Sequence, residues 1–338
     1  MKFLSNVLLV AGSLNLAAAT VASSNEVNVY SLRQPELIEP MLNAFTDATG
    51  IAVNISYIKE GVTERLAAEG DRSPADLLLT VDISRLHAAV AAGVTQSVSS
   101  DSVNASVPEE FRDPDGHWFA LTLRARIVYA SKERVADGEV TTYEDLASDK
   151  WNGRICTRSG SHAYNIALTS AVLAHHGEDG ARQWLSGVKS NLARKPQGND
   201  RAQVKAIWAG ECDVSIGNTY YFGKMLANEE QREWADAVRI EFPVFEGGGT
   251  HVNVSGMAMT KAAPNRDNAL MLMEFLAGNA AQEMYAETNY EYPVNPNVSL
   301  SDLVASWGQF DRDGLSLAEI AQLRPQSLQI VEEIDFDE

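Results

Sequence analysis

The sequence has little positive charge, few cysteines and only one long apolar run. Lys and Arg total 27 against 46 Asp and Glu, for a formal net charge of -19. Nucleic-acid and anionic-membrane partners both require basic patches, so this balance argues against either. Only Cys156 and Cys212 are present, too few for a disulfide scaffold or a four-thiolate metal site. No run after residue 22 reaches the ~18 apolar residues of a membrane span.

Residues 1–22 are predicted to be a secretory signal peptide. Lys2 precedes an apolar run, and small residues follow to Ala19 and Ala22, the two predicted cleavage positions. This order is typical of an export signal; a buried N-terminal helix is the alternative. No Cys precedes Cys156, which argues against a lipid anchor on an N-terminal cysteine. The mature protein is therefore expected to be soluble and exported.

The two cysteines are expected to pair in an oxidising compartment. Cys156 lies in a predicted strand at 154–158, and Cys212 begins another at 212–217. If these strands are neighbours, the bridge would pin the sheet beneath the loops that follow them. Two separate buried thiols are the alternative.

Strand and helix patterns alternate along the chain, which is typical of an α/β fold. Strands near 27–30, 51–55 and 75–81 with helices between them imply parallel pairing through crossover helices. A β-rich run at 121–130 is a candidate crossing between two lobes. Residues 239–243 are a candidate return crossing, and 254–261 a strand that rejoins the first lobe. A further strand is predicted at 191–194, and the last helices at 265–277, 280–287, 301–306 and 316–334.

This order predicts a two-lobed α/β protein, each lobe holding a mostly parallel sheet flanked by helices. The N-terminal lobe is expected to comprise 23–122 plus 245–300, and the C-terminal lobe 123–244. Residues 301–338 are expected to form helices that pack on both lobes. The ligand of such a fold lies in the cleft between lobes, near the carboxyl ends of the strands.

The sequence lacks the common enzyme motifs, including the Gly-x-Ser-x-Gly nucleophile loop, the phosphate-binding Gly-Lys-Ser/Thr loop and His-Glu-x-x-His. The unusual feature is Tyr220-Tyr221, which follows a predicted strand and opens a helix. Adjacent side chains point to opposite faces of a strand, but at such a junction both can face a cleft. Two phenols there can bind an aromatic ligand, stack on a base or ligate a metal. Core packing with a surface ring is the alternative.

Two other loops also follow strands and open helices. The loop from Arg158 to Asn165 has small residues and helix N–H groups suited to an anion, and it carries Tyr164. The loop after the first strand carries Arg33, which is either a surface charge or an anion clamp between lobes. Packing is the alternative role of Tyr164.

These residues resemble the periplasmic ferric-ion-binding proteins of bacterial ABC importers, in particular the subgroup that opens Tyr-Ser-x-Arg-Gln-Pro. The resemblance covers essentially the whole mature chain. It rests on Tyr30-Ser31-Leu32-Arg33-Gln34-Pro35, Leu37-Ile38-Glu39-Pro40-Met41-Leu42, the segment from Pro74 to Asp82, the segment from Leu192 to Gly198, and Ser215-Ile216-Gly217-Asn218 followed by Tyr220-Tyr221.

The resemblance implies a periplasmic binding-protein fold, type II-like, that closes around Fe³⁺. It implies metal ligands at Tyr164 and at the adjacent pair Tyr220 and Tyr221. Some relatives add a His and a Tyr from the first loop, where this chain has Gln34 and Pro35. Three tyrosine ligands are therefore implied.

Three phenolates suit Fe³⁺, a hard cation that prefers anionic oxygen donors. Free tyrosine has a pKa of about 10, so the metal must drive deprotonation. Three phenolates fill half of an octahedral shell, and relatives often complete it with carbonate. The matching positions for contacts to carbonate or bicarbonate are Arg33, Gln34 and Arg124, with helix N–H groups near Ser159 and Gly160 as a further contribution. A plain strand-edge charge is the alternative role of Arg124.

The implied role is binding and delivery rather than enzymatic turnover. A monomeric periplasmic protein would load Fe³⁺ on its C-terminal lobe, close, and deliver it to an inner-membrane ABC permease. One alternative is an organic or oxyanion ligand bound in the same cleft, with the tyrosines as a stacking wall. A second is an exported hydrolase or lyase with Tyr164 as acid or base, for which the sequence shows no nucleophile–base pair.

Overall fold

The structure, a computed structural model, describes residues 25–338. The predicted signal peptide at 1–22 lies outside the described residues. Nine strands are found in the described part: β1 Glu26–Ser31, β2 Ala52–Tyr57, β3 Leu77–Thr80, β4 Phe119–Ser131, β5 Ile155–Cys156, β6 Val214–Asn218, β7 Val238–Glu241, β8 Val252–Met259 and β9 Tyr292–Pro293.

Thirteen α-helices accompany the strands over the same residues. They are α1 Glu39–Thr49, α2 Val62–Glu69, α3 Ile83–Ala91, α4 Asp101–Ser106, α5 Ala163–Ser190, α6 Asp200–Trp208, α7 Thr219–Leu226, α8 Arg232–Asp236, α9 Arg266–Ala277, α10 Asn279–Asn289, α11 Asp302–Ala305, α12 Leu317–Gln322 and α13 Arg324–Glu333. Within residues 25–338, no helix combines the length and apolar character of a membrane span.

The first part of the chain forms the predicted strand–helix–strand unit. β1 pairs in parallel with β2 on one side and β3 on the other. Gly50, in the left-handed conformation at φ 73°, ends α1 and allows the chain to turn into β2. The Asp82 carboxylate accepts the Ser84 N–H at 2.8 Å and starts α3 directly after β3. Local capping thus sets where these helices begin and end.

The long strand β4 links the two halves of the sheet. Its first half pairs antiparallel with β8, and its second half pairs antiparallel with β6 and β7. β8 also pairs with β3, which joins it to the first strands. The strand order is β2-β1-β3-β8-β4-β6-β5, with β7 and β9 also paired to β4. The predicted crossing at 121–130 is therefore present, and the strand predicted at 254–261 does rejoin the first part.

The expectation that each sheet is mostly parallel is wrong. Among the described strands, β1–β2, β1–β3 and β5–β6 pair in parallel, and the five other pairings are antiparallel. The parallel pairs are those joined through helices. The antiparallel pairs all involve β4 or β8, because these strands run between the halves in opposite directions.

Three local predictions also need correction. The segment 239–243 is not the return crossing, since β7 pairs back onto β4 in the second half and the chain returns through β8. Residues 191–194 form only one bridge, Ile155 with Leu192, because Asn191 still completes the end of α5. The helix predicted at 316–334 is two helices, α12 and α13, with Pro325 in the first turn of α13.

The buried apolar side chains form separate cores on the two sides of the crossing. One core joins β1, β3, α1 and α9 with the first half of β4. Another packs α5 against the second half of β4 and β6. The C-terminal helices reach both, with Leu317 in the first core and Ile330 in the second. The bounds given above for the two lobes remain a prediction.

The disulfide joins Cys156 at the end of β5 to Cys212, which lies just before β6, with a Cα–Cα distance of 5.8 Å. β5 and β6 are parallel neighbours. Cys212 is therefore outside the strand that was predicted to contain it. The bridge ties the start of β6 to the end of β5, just before the loop that leads into α5.

Replacing both cysteines with alanine is expected to lower the free energy of unfolding by about 2–4 kcal/mol, because the bridge closes a loop between residues 56 apart in sequence. Denaturant unfolding of oxidised wild type and the double variant measures this difference. Reductant should destabilise the wild type and leave the variant unchanged. Equal midpoints for all four samples would contradict the prediction.

Candidate metal centre

A cavity of about 200 Å³ lies where residues of both sides of the molecule meet. Tyr164, Tyr220 and Tyr221 all line it. The structure thus brings together the three tyrosines that sequence analysis selected. The other lining residues are Leu32, Arg33, Gln34, Leu37, Lys59, Val81, Arg85, Arg124, Arg158, His162, Ala163 and Glu291.

Tyr220 and Tyr221 occupy the second and third positions of α7, directly after β6. Their ring centroids are 4.2 Å apart, and both rings reach the same cavity. Two glycines of this segment lie in close contact with aromatic rings. A Cβ on Gly217 would lie 2.0 Å from the ring of Tyr129, and one on Gly223 would lie 2.4 Å from the ring of Tyr290. Glycine at these two positions therefore lets the rings of Tyr129 and Tyr290 pack against the strand–helix junction and fix its position.

Tyr164 is the second residue of α5, and His162 caps that helix. The Tyr164 N–H donates to His162 Nδ1 at 3.2 Å. The hydroxyl oxygens of Tyr164 and Tyr220 are 3.3 Å apart. Tyr164 is 9% exposed, and Tyr220 and Tyr221 are each 5% exposed. The three phenols thus form one buried cluster, in which the hydroxyl groups of Tyr164 and Tyr220 are close together.

Burial controls the protonation of these groups. It raises the pKa of Tyr220 well above 10; Tyr164 and Tyr221 add to the rise, and Arg124 opposes it. Burial likewise raises the pKa of Tyr221, with Tyr164 as the next contribution. Burial and then Arg158 lower the pKa of His162 to about 3, so Nδ1 stays free to accept from the helix. Near neutral pH, Tyr220 and Tyr221 therefore carry their protons until a cation displaces them.

A buried carboxylate, Asp200, lies behind the tyrosines and is 0% exposed. Arg126 approaches it at 3.3 Å and Arg158 at 3.5 Å. Arg126 also donates to Asn165 Oδ1 at 2.6 Å and to Asn218 Oδ1 at 3.0 Å. Asn165 lies in the first turn of α5, and Asn218 precedes α7. One buried network therefore holds the starts of both tyrosine-bearing helices.

Positive charge surrounds Tyr164. The guanidinium carbons of Arg124, Arg126 and Arg158 lie 5.5, 5.8 and 5.2 Å from the centre of its ring. Arg124 is buried, and its guanidinium donates to the carbonyl oxygen of Val81. No carboxylate in the described part of the chain pairs with Arg124, so its positive charge faces the cavity uncompensated.

The positive charge of Arg33, by contrast, is balanced by a neighbouring carboxylate. Its guanidinium forms a buried ion pair with Glu291, and its Nε donates to the Leu37 carbonyl at 3.3 Å. Burial is the largest single influence on the pKa of Arg33 and lowers it, but attraction to Glu291 and to two tyrosines, with the hydrogen bond to Glu291, together raise this pKa. Gln34 lies on the cavity wall with an exposed side chain. The two first-loop residues thus reach the cavity, but the charge of Arg33 already has a partner.

The hydrogen-bond donors of the loop before α5 also already have a partner. The Asp337 carboxylate accepts from the Gly160 N–H at 2.7 Å and from Ser159 Oγ at 2.6 Å. Phe336 packs so closely that a Cβ on Gly160 would lie 2.5 Å from its ring. The N–H group of Gly160, expected to help hold an anion, therefore serves to anchor the loop that leads to Tyr164.

Sequence analysis missed several residues of the wall, among them Glu291, Arg85, Lys59 and His162. Glu291 follows α10 and is 258 positions from its partner Arg33. Of these residues, only His162 lies in a segment that the sequence analysis had selected, the loop from Arg158 to Asn165. Residues 25–338 contain no group of three or more His, Cys, Asp or Glu side chains suited to a metal ion, so a metal in this cavity would depend on phenol oxygens.

A cavity between two cores, lined by convergent aromatic hydroxyls and cations, is typical of a site that binds a small solute. The chain belongs to the family described as bacterial extracellular solute-binding protein, which residues 72–311 match. Iron uptake protein A1 of Synechocystis sp. is 43% identical over 319 residues, covering 94% of this chain and 89% of that protein.

Two solved structures show the same fold. The apo ferric ion-binding protein A of Pasteurella haemolytica has a TM-score of 0.90 and 48% identity, covering 93% of this chain and 99% of that chain. A Trichodesmium protein in complex with iron and citrate ligands has a TM-score of 0.86 and 36% identity, covering 92% and 99%. The predicted two-lobed α/β binding-protein fold is confirmed.

The Asp337→Asn variant is expected to loosen the loop that leads to Tyr164. Hydrogen bonds to a charged group exceed neutral ones by about 1 kcal/mol, which corresponds to roughly fivefold faster amide exchange. Hydrogen–deuterium exchange of the 159–164 segment measures this change. Glu338→Gln is the matched control, since that carboxylate makes only an exposed ion pair, 3.8 Å from Lys195. Equal exchange in both variants would refute an anchoring role.

Proposed function

We propose that this chain is the ferric-ion-binding component of an ABC importer, and that it holds Fe³⁺ through Tyr164, Tyr220 and Tyr221 together with a small anion. The observation that carries the proposal is the convergence of three buried phenols on one cavity. The relatives named above as iron uptake and ferric ion-binding proteins support the same cargo. The role is to bind and deliver, as in the solute-binding family to which the chain belongs.

The spacing of the phenol oxygens suits a small hard cation. Adjacent ligands of an octahedral ion with bonds of 2.0–2.1 Å lie about 2.9 Å apart. The hydroxyl oxygens of Tyr164 and Tyr220 are 3.3 Å apart before any metal draws them in. Little movement is therefore required to place both on one ion, and three phenolates would balance the charge of Fe³⁺.

An anion is needed because the wall is too positive for a bare cation. The lining residues include Arg33, Lys59, Arg85, Arg124 and Arg158 against a single carboxylate. Arg33 shares its charge with Glu291, whereas Arg124 faces the cavity without a carboxylate. We therefore assign the central anion contact to Arg124, with Gln34 and Arg33 at the edge. Carbonate is one candidate for this anion, and a carboxylate is the other, since the Trichodesmium relative is in complex with iron and citrate ligands.

Loading would begin on the C-terminal lobe, which supplies all three tyrosines. Leu37 and Val81 from the other side of the cleft pack against the phenol cluster. Closing the lobes would bring these residues and Arg33 over the metal, and opening would release it. The protein is proposed to act as a soluble periplasmic monomer after signal-peptide removal. The inner-membrane permease would bind its closed form.

A visible absorption titration with ferric nitrilotriacetate, with and without bicarbonate, tests the proposal. A phenolate-to-iron charge-transfer band is expected to saturate at one iron per chain. Tyr220→Phe and Tyr221→Phe are each expected to weaken binding more than about 100-fold, beyond the effect of altering a supporting residue. Tyr57→Phe is the control, because that exposed phenol bonds Glu39 away from the cavity.

Saturation without a charge-transfer band, or equal binding by all three variants, would contradict phenolate ligation. In that case the tyrosines would be a stacking wall for an organic or oxyanion ligand. Binding of such a ligand without proton release would then distinguish that function.

Iron affinity is expected to fall steeply as the pH decreases from 8 to 5. Burial raises the pKa of Tyr220 and of Tyr221, so protons compete with the metal throughout this range. His162, whose pKa is lowered to about 3, stays neutral and does not contribute. A competition assay against a chelator of known pH dependence should give a slope of log affinity against pH of about two to three. A flat profile would contradict ligation by phenols that must lose protons.

A further inference from the structure

The tyrosine cavity does not end at the tyrosines. A second cavity of about 660 Å³ adjoins it and is more than three times larger than the inner one of about 200 Å³. The two cavities share five lining residues: Leu32, Lys59, Arg85, His162 and Ala163. The space available to a ligand therefore continues from the three phenols into the larger cavity, called the outer chamber below. The cations Lys59 and Arg85 lie where the two cavities meet, at a place called the junction below.

Arg85 is a charged residue at this junction whose role the proposed iron site does not explain. It is half-buried in the first turn of α3, on the opposite side of the cleft from the tyrosines. No residue in the described range 25–338 forms a hydrogen bond or ion pair with its guanidinium, whereas Arg33 and Arg158 both have carboxylate partners. Its positive charge is one of those that lower the pKa of His162 across the cleft, so the two sides are close enough to interact.

The acidic residues of the outer chamber do not neutralise Arg85. Asp82 is committed elsewhere, since its carboxylate accepts from the Ser84 N–H and from the Asn253 amide. Glu60 and Glu64 are exposed at the start of α2. The exposed side chain of Lys59, like the side chain of Arg85, forms no hydrogen bond or ion pair with any described residue. The junction thus presents two positive charges with no partner within the described protein.

We propose that Arg85 and Lys59 form a carboxylate subsite, so that iron is taken up with a small polycarboxylate such as a citrate-sized chelator. The inference rests on the proposed ferric function and specifies the substrate of the same site. One carboxylate of the chelator would remain near the metal beside Arg124. Another would extend into the junction, where a guanidinium can bind it with two parallel hydrogen bonds. Carbonate has no second carboxylate to place there.

The test compares two iron sources on three proteins. Wild type, Arg85→Gln and Arg72→Gln are titrated with ferric citrate and, separately, with iron in bicarbonate without citrate. Arg72 is an exposed arginine that lines neither cavity. Arg85→Gln is expected to lower affinity for the citrate-borne iron about tenfold or more and to change the bicarbonate titration less than about threefold. The Arg72 control should match wild type with both sources.

Labelled citrate gives a second readout. Wild type loaded from ferric citrate should retain one citrate per iron after desalting, and Arg85→Gln should retain much less. Iron without citrate in the wild type, or equal losses of Arg85→Gln with both sources, would overturn the subsite. Failure of the ferric proposal itself is distinguishable, because then no charge-transfer band would form from either source in any of the three proteins.

Discussion

The buried carboxylate of Asp200 links the elements that carry the tyrosines. Removing one partner of a buried ion pair costs ~3–5 kcal/mol, so the arginines beside this carboxylate are held firmly. Arg126 extends the link to Asn165 in α5 and Asn218 at the start of α7. Tyr164 directly precedes Asn165, and Tyr220 lies two residues after Asn218, so the polar network behind the phenols fixes where they meet. The proposed metal site would therefore be largely formed on one side of the cleft before any ligand arrives.

Charge is distributed unevenly between the surface and the cleft. The whole chain has a formal charge of -19, yet the cavity wall carries five cationic side chains and one carboxylate. A cation can enter such a cavity only if phenol protons leave and an anion accompanies it. Positive charge beside the tyrosines favours both events, because it stabilises phenolates and binds the anion. Under the proposed function, iron, protons and anion would therefore be coupled in a single binding equilibrium.

Features that depend on residues close together in sequence could be predicted from the sequence. The strand–helix alternation, the tyrosine pair at a strand end and Tyr164 at a helix start are of this kind. Features made by distant segments were not: Arg33 meets Glu291 across 258 positions, and Gly160 meets Asp337 across 177. No local pattern marks such partners, and the antiparallel pairing of β4 with β8 likewise depends on how the chain crosses between halves. Arg85 was missed because one charge on an amphipathic helix looks like an ordinary surface residue.

The most direct measurement is X-ray diffraction at the iron absorption edge from crystals of the iron-loaded protein. The expected result is one strong anomalous peak about 2 Å from the hydroxyl oxygens of Tyr164, Tyr220 and Tyr221. Electron density for an anion should connect that peak to Arg124. An anomalous peak on the acidic exterior, with none between the three phenols, would contradict the proposed metal centre.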